Sequence, residues 1–443
     1  MERKELMAAR MRKIWTQEQV ANFAGVSVRA YRSWELGTTS PRASSIQRIC
    51  DVFEQSAESL GLLLEHGEEK HHTMQTSSLL SSLLTQDLTL RLLCLTFTYH
   101  HTPAELQRAA KLILEESMID PITRREALSR LVALVVAPIA APPLSATATE
   151  TTLARCAAAI IACRELGQGQ DIPLALEGAN AIQRNTIPLM TSPQHRVAAA
   201  TLAAQAGILA TVFTRHLQGP EASLATGQQA IAYARLSDEK TMQILALETL
   251  AWSYYHLPGG ARSALQIMEQ AVVLMKNPNI PLYMHGPAYG ALAIMQASLG
   301  LPSTDAFRQA EKLAFADQHY AYFVDNPIVT LIRNEAELAY QRNLPEQAIA
   351  TLTTHLIDEK TYSPKKYDVS QREHIRALSL VAMASLKTKD LERSVTLWKP
   401  WMQSAQALKS KLCMNEAMSA YRTMDIIWPH DQRVYDLRGF VMY

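Results

Sequence analysis

Two arginines near the N-terminus, Arg29 and Arg32, lie in a short segment that Ser27 opens and Ser33 follows. An arginine guanidinium is planar, is always charged, and can donate two parallel hydrogen bonds to a guanine edge or to an oxyanion. Serine hydroxyls add short donors and acceptors beside it. These residue types can therefore read the edge of a nucleic-acid base, and Arg29, near the front of the segment, is the best candidate.

The surrounding residues, 16–41, predict two short helices joined by a tight turn. Thr16 is a helix N-cap candidate, and Gln19 three residues later completes a capping-box pattern. Gly25 is the residue best able to take the left-handed backbone that ends a helix and turns the chain. Ser27 then caps a second helix. This order predicts a helix-turn-helix, whose second helix enters the DNA major groove.

Helical spacing separates the apolar positions of this segment from the polar ones. The positions predicted to face inward are Val20, Ala21, Phe23 and Ala24 in the first helix and Val28, Tyr31 and Trp34 in the second. The open side of the second helix keeps Ser27, Arg29, Arg32 and Ser33. Gln17, at the positive end of the first helix, is better placed for a phosphate, which positions a protein without reading sequence.

Three runs, Gln17-Glu18-Gln19-Val20-Ala21, Ala24-Gly25-Val26-Ser27 and Trp34-Glu35-Leu36-Gly37 with Pro41, resemble the Cro/repressor (XRE) family of DNA-binding domains. The resemblance covers about residues 5–62. It implies a five-helix domain in residues 1–65, with further helices at 5–14, 43–53 and 56–64. It also implies that Gln17 and the face of residues 27–33 contact DNA.

The distribution of charged residues along the chain agrees with a DNA-binding domain at residues 1–65. Residues 1–50 hold nine Lys or Arg against four Glu, whereas the whole chain has a formal net charge of +1. A local positive excess is the electrostatic footprint of phosphate binding.

Length and composition predict a multidomain globular protein of the reducing cytosol. The chain has 443 residues, of which 48% are hydrophobic, and its five cysteines are scattered without a Cys-x-x-Cys pair. The apolar run at 131–141 is too short to span a bilayer and is broken by Pro138, so no membrane association is expected. No phosphate-binding Gly-rich loop, Gly-x-Ser-x-Gly elbow, His-Glu-x-x-His or clustered Cys/His set is present. Enzymatic activity, a cofactor and a metal site are therefore not predicted.

Polar and Pro-rich stretches divide the rest of the chain. Residues 66–78 lack an apolar face and predict a linker, whose three histidines are solvated rather than metal ligands. Residues 79–152 predict a connecting segment with helices at 83–99, 103–116 and 122–137, followed by a Pro/Ala-rich linker.

Residues 153–443 repeat with a near-constant period. Small residues that open the second helix of a pair recur after polar or Gly/Pro turns: Ala175, Ala222, Ala264, Ala306, Ala348 and Ser394. Their spacing is 47, 42, 42, 42 and 46 residues. Two helices per repeat predict an α-solenoid, and the chain as a whole is predicted to be all-α. The pattern resembles a degenerate tetratricopeptide array of about six repeats, although most of that family's Trp, Gly and Pro marks are missing.

A stack of helix pairs is expected to curve, with the first helix of each pair lining a concave groove suited to extended peptides or to a partner's helix. Carried onto this chain, the repeat pattern predicts the groove residues Thr249, Ser253, His256, Arg333, Asn334, Glu337 and Arg376.

A Cro-type domain followed by such an array resembles the bacterial peptide-sensing regulators of the Rap/Rgg/NprR/PlcR/PrgX group. The resemblance implies a cytoplasmic, homodimeric transcription regulator that binds double-stranded DNA and a signalling peptide. An interaction scaffold, anchored to DNA and docking a protein partner through the array, stays open. The groove separates the two, because a sensor should enclose a narrow polar cleft and a scaffold should expose a broad apolar patch.

Overall fold

The structure, a computed structural model, divides into two compact units, Met1–Ser77 and Ser78–Tyr443. It describes residues 6, 9, 10, 17–35, 41, 43–53, 55, 57, 60, 62, 121–136, 146–313, 327–365 and 369–441. Within those ranges every regular element is a helix, apart from one isolated bridge between Ile357 and Pro364. The all-α prediction is confirmed. The helices predicted at 5–14, 56–64, 83–99 and 103–116 and the linker at 66–78 lie wholly or mostly outside the described residues.

The N-terminal unit contains the predicted helix-turn-helix. Its described helices are α1 (Gln17–Phe23), α2 (Val28–Glu35) and α3 (Ala43–Phe53). Gly25 has a φ of 62°, the left-handed conformation predicted for the turn, and Ser27 Oγ accepts a hydrogen bond from Ala30 N at 3.2 Å as the cap of α2. These local signals were sufficient to define the motif.

A small core holds the N-terminal helices together. Its buried residues are Leu6, Ala9, Val20, Ala21, Ala24, Tyr31, Trp34, Ile49, Phe53, Leu60 and Leu62. Two residues predicted to face inward, Phe23 and Val28, are instead exposed, at 57% and 40%. Phe23 is the last residue of α1 and Val28 the first of α2, so both flank the turn and lie outside the stripe that packs inward.

The second unit consists of a series of helices. The first is α4 (Pro121–Val136), which matches the helix predicted at 122–137 to within one residue at each end. The helix that follows begins at Ala146, so residues 146–152 are helical, whereas the sequence predicted a linker there. The others are α5 (Ala146–Leu166), α6 (Ile172–Thr186), α7 (Arg196–Leu217), α8 (Ser223–Leu236), α9 (Lys240–Tyr255), α10 (Ala261–Leu274), α11 (His285–Ser298), α12 (Thr304–Leu313), α13 (Pro327–Gln341), α14 (Pro345–His355), α15 (Gln371–Lys387), α16 (Leu391–Ala407), α17 (Lys411–Ile427), α18 (Gln432–Asp436) and α19 (Arg438–Val441).

Consecutive helices from α5 to α16 pack as six pairs. Five of the six small residues that define the sequence period lie early in the second helices, whereas Ala222 is the exposed residue just before α8. Ala175, Ala264, Ala348 and Ser394 are each at most 1% exposed. A small side chain at this position lets the two helices of a pair approach closely. The period of about 40 residues in the sequence therefore corresponds to one helix pair.

Side-chain caps fix the start of the last helices. Ser370 Oγ accepts from Glu373 N at 3.2 Å at the front of α15, as a Ser-x-x-Glu pattern predicts. Asp390 and Ser410 cap α16 and α17 in the same way. Arg372 and Arg376 both lie in α15, and because they are four residues apart they lie about one turn apart on the same face.

The series closes on itself. Buried residues of α4 to α7 and of α13 to α17 belong to one hydrophobic cluster. Two hydrogen bonds join the early helices to the late ones: His216 Nδ1 lies 2.9 Å from Ser410 Oγ, and Arg372 N donates to Gln168 O at 3.3 Å. We call the helices α5 to α17 the ring, and the contact of α7 with α17, which also packs on α15, the seam. The first helices of the pairs were predicted to line a concave groove, and closure of the series makes this concave face the inner wall of the ring.

One described helix, α7, is long and apolar enough to span a membrane, but 83% of its apolar window is buried inside the ring. It is surrounded by α6, α8 and α9 and forms part of both main hydrophobic clusters. Its hydropathy is therefore accounted for by its position in the core.

Candidate DNA-binding surface and ring cavity

The ring encloses a cavity of about 160 Å³ that is lined almost entirely by the first helices of the pairs. The contributing helices are α5, α7, α9, α11, α13 and α15. The lining residues are Arg164, Ile208, Leu209, Val212, Arg215, His216, Leu245, Glu248, Thr249, Trp252, His256, Met284, Pro287, Thr330, Arg333, Arg372, Glu373 and Arg376. Charged and polar side chains make up most of the cavity wall.

Four of the seven predicted groove residues line this cavity: Thr249, His256, Arg333 and Arg376. The carbonyl of Thr249 accepts a hydrogen bond from Arg215 Nη1 at 3.1 Å. Arg333 Nη1 donates to both carboxylate oxygens of Glu373, each at 2.8 Å. These four residues therefore lie on the cavity wall, and their contact with an effector stays a prediction.

The other three predicted groove residues lie behind the wall and bond to protein groups. Ser253 is fully buried and its hydroxyl accepts from Ser223 Oγ at 2.8 Å. Asn334 is 2% exposed and accepts from Arg333 Nη2 at 3.4 Å. Glu337 accepts from the hydroxyl of Tyr255 at 2.8 Å. These three side chains support the wall, and their predicted contact with an effector is not tested by this structure.

Three arginines of the cavity, Arg164, Arg215 and Arg372, were not among the predicted residues. Arg215 lies in the last turn of the apolar helix α7. A charged residue in such a helix could have identified it from the sequence as a candidate site residue. Arg372 precedes Arg376 by four residues, which places both on one helical face. Arg164 is the only one of the three without a comparable local signal.

The charges on these arginines act on one another. Burial, followed by the positive charges of Arg376, Arg372 and Arg333, lowers the pKa of Arg215 to about 9. The Nε of Arg215 is buried, and none of the described residues offers it a hydrogen-bond acceptor. The cation on Arg215 is thus both desolvated and repelled, which is a costly arrangement for a buried charge.

The carboxylate of Glu416, which lies beside His256, balances part of the positive charge of these arginines. His256 Nδ1 lies 3.5 Å from Glu416 Oε1, and Arg376 Nη1 lies 3.4 Å from His256 Nε2. Burial raises the pKa of Glu416, but the hydrogen bond with His256 and the charge of Arg376 outweigh it, so the net shift is downward. Burial, together with neighbouring arginines, lowers the pKa of His216 well below 6.5. His216 is therefore neutral at pH 7.

The buried cysteines of the ring are unreactive, and the residues that the structure describes offer no metal site. Burial raises the pKa of the thiols of Cys156, Cys163 and Cys413 to about 12, which leaves them protonated and unreactive at pH 7. Among the residues that the structure describes, no group of three His, Cys, Asp or Glu side chains could hold a metal ion.

The N-terminal unit presents the predicted polar face on α2. Ser27, Arg29 and Arg32 are exposed. Ser33 is partly buried, and its hydroxyl donates to Ala30 O at 2.8 Å. Arg29 and Arg32 therefore extend from a fixed helix into solvent, where they are able to meet base edges or phosphates.

Gln17 has a second role in this unit. Its Nε2 donates to Glu35 Oε2 at 2.7 Å, and Arg10 Nε donates to Glu35 Oε1 at 2.6 Å. Glu35 is 3% exposed, and its bond to Arg10 raises the pKa of that guanidinium. The buried carboxylate links the start of α1 to the end of α2 and so fixes the angle between the two helices of the motif.

Residues 6–60 match the family model described as Helix-turn-helix. The N-terminal domain is a helix-turn-helix domain. The recognition of a Cro/repressor-type domain in the sequence is thereby confirmed. In the helix-turn-helix domain, Arg29 and Arg32 lie on the second helix of the motif, the one that enters the major groove in proteins of this class.

No curated protein shows significant similarity to the chain. Among solved structures, the chain is similar to PlcR of Bacillus thuringiensis in complex with the peptide PapR7 and DNA. The sequences are 11% identical, the alignment covers 71% of this chain and 94% of that chain, and the TM-score is 0.30. An identity and a TM-score this low do not carry the neighbour's ligands over to this chain.

Proposed function

We propose that this protein is a sequence-specific DNA-binding transcription regulator, acting in the cytoplasm, whose ring senses an effector. The helix-turn-helix domain, with the exposed arginines of α2, supports the DNA-binding part of the proposal. The observation that carries the sensing part is the charged cavity of about 160 Å³ inside the ring. An effector that binds one arrangement of the protein better than another shifts the population and with it the affinity for DNA.

Homodimerisation is part of this proposal. Helix-turn-helix domains read paired half-sites about one DNA turn apart, so two copies of α2 must be held at that spacing. A peptide or another small molecule is the proposed effector, and no enzymatic step is required. A concave cavity lined by charged groups favours a sensor over the alternative of a DNA-anchored scaffold, since a scaffold needs a broad exposed apolar surface.

The experiment that tests the proposal is a genome-wide DNA pull-down with the full chain at one fixed salt concentration, because phosphate contacts weaken steeply with salt. The wild type is expected to enrich a short inverted repeat, and Arg29→Ala/Arg32→Ala is expected to lose it. The matched control is Arg235→Ala/Arg422→Ala, which removes two exposed arginines from the ring and should enrich the same repeat.

If the wild type enriches no sequence, the regulator proposal is wrong and the scaffold becomes the better interpretation. An inverted repeat whose half-sites are about 10 base pairs apart, centre to centre, would support the dimer. A single half-site, together with a monomer in sedimentation, would contradict it.

A further inference from the structure

The cavity has an excess of positive charge. Its wall holds five arginines and two glutamates, Glu248 and Glu373, and the two histidines on the wall have lowered pKa values. Glu373 is engaged by Arg333 at 2.8 Å, and Glu416 lies behind the wall beside His256. Glu165 lies 4.0 Å from Arg164, and Glu337 acts on Arg376 from behind the wall, but on the wall itself positive charges outnumber negative ones.

The positive charges come from both sides of the seam. Arg215 lies at the end of α7, whereas Arg372 and Arg376 lie on α15, and α17 contacts both helices. Like charges that face each other across a contact push its two sides apart, and the effect is strong in an enclosed site with little water. A negatively charged group between them would attract both sides at once.

The chemistry of the wall selects an oxyanion. Guanidinium groups bind carboxylate and phosphate through paired, charge-assisted hydrogen bonds. The cavity has room for an oxyanion together with the carbon atoms attached to it. Trp252 and Met284 add apolar surface for those carbon atoms.

We infer that the cavity binds an oxyanion, a carboxylate or a phosphate, which bridges Arg215 to Arg372 and Arg376 and holds the ring closed at its seam. The group belongs either to a small metabolite or to the C-terminal end of a peptide. This inference rests on the proposed function, and it specifies the chemical class of the effector. The closed ring would then be the state that the effector favours.

The test is thermal melting of the full chain at pH 7.5 and constant ionic strength, with chloride as the exchanged anion. The probes are inorganic phosphate, succinate, trialanine and trialanine amide. Saturation by a binding probe is expected to raise the melting temperature of the ring by on the order of 5 °C. A response to trialanine but not to its amide identifies a peptide carboxylate, whereas a response to phosphate or succinate alone identifies a small metabolite.

Variants decide whether the response comes from the cavity. Arg372→Gln and Arg376→Gln should each weaken probe binding at least tenfold, while the matched control Arg422→Gln, an exposed arginine of α17, should leave it unchanged. Arg215→Gln should lose the response and melt higher than the wild type without probe, because it removes a repelled buried cation. If Arg372→Gln does not fold, Arg372→Lys keeps the charge, removes the forked geometry, and should weaken binding measurably.

The inference is overturned if no probe raises the melting temperature, or if Arg422→Gln loses the response as fully as Arg372→Gln. It is also overturned if Arg215→Gln melts lower than the wild type and still responds, since Arg215 would then be a structural residue only. The DNA pull-down separates failure of this inference from failure of the proposed function. If the protein binds the oxyanion but its operator affinity does not change, the anion site is supported and its role in sensing is contradicted.

Discussion

The helix-turn-helix domain and the ring use arginine in opposite ways. On α2, Arg29 and Arg32 are exposed, and solvent stabilises their charges until DNA replaces it. In the ring, Arg215 and its neighbours are gathered around a small cavity, where burial and mutual repulsion lower the pKa of Arg215 to about 9. The exposed pair costs the fold little, whereas the enclosed group costs stability unless an anion is bound. DNA binding by the exposed arginines should therefore leave the stability of the fold unchanged, whereas binding of an anion in the cavity should raise the stability of the ring.

Glu35→Ala should have the largest effect on stability in this series, because the Glu35 carboxylate joins the two helices of the helix-turn-helix motif. The substitution leaves Arg10 without its partner in a part-buried position and also frees Gln17. Loss of one member of a buried pair costs about 3–5 kcal/mol. Hydrogen exchange of peptides from α1 and α2 should show early opening, with exchange in the ring unchanged. Protection equal to that of the wild type would contradict the role assigned to Glu35.

Arg29→Ala tests whether the exposed arginine reads bases. It should reduce discrimination against a mismatched operator by about 1–3 kcal/mol, roughly tenfold to a hundredfold, because a bidentate contact to guanine is lost. The melting temperature should stay the same, since the side chain is exposed. Competition binding with matched and mismatched operators measures the change. Equal weakening on all sequences would assign Arg29 to phosphate instead.

Acid should destabilise the ring through its buried histidines. The pKa of His216 is lowered in the folded protein, so below about pH 6.5 the unfolded chain takes up a proton that the folded chain does not. Stability is therefore unaffected above that pH and falls as the pH decreases, by up to about 1.4 kcal/mol per pH unit for each such group.

Urea denaturation between pH 7.5 and 5 measures this slope. His216→Gln should make it shallower, although the variant also changes the bond to Ser410 and so lowers stability at pH 7.5. A slope that is identical in the two proteins would show that His216 does not contribute to the acid sensitivity.

Arg235→Gln should have the smallest effect of the series. Arg235 is exposed on α8, so its loss is expected to change stability by no more than about 0.5 kcal/mol. Placed beside Arg215→Gln in the same denaturation experiment, it tests whether enclosure, rather than the residue type, makes the cavity arginines costly. Equal effects of the two substitutions would remove the contrast between exposed and enclosed arginines.

Local signals predicted the helix-turn-helix motif well. The left-handed turn at Gly25 and the cap at Ser27 each depend on a few neighbouring residues, and both are present. Phe23 and Val28 were assigned to the wrong side, because apolar character at a helix end does not specify whether a partner covers it. For the ring, the period of small residues predicted the helix pairs, and Arg333 and Arg376, two of the predicted groove residues, lie on the cavity wall.

The amino-acid sequence alone determined the all-α class, the DNA-reading helix and the repeating helix pairs, because caps, turns and periodic apolar positions act over a few residues. Only the tertiary structure decided that the array closes and that Arg164, Arg215 and Arg372 meet around one cavity. Closure is the sum of small rotations between successive pairs, and such a sum depends on how every interface packs. The charges that meet across the seam come from residues more than a hundred positions apart, and no local pattern relates them.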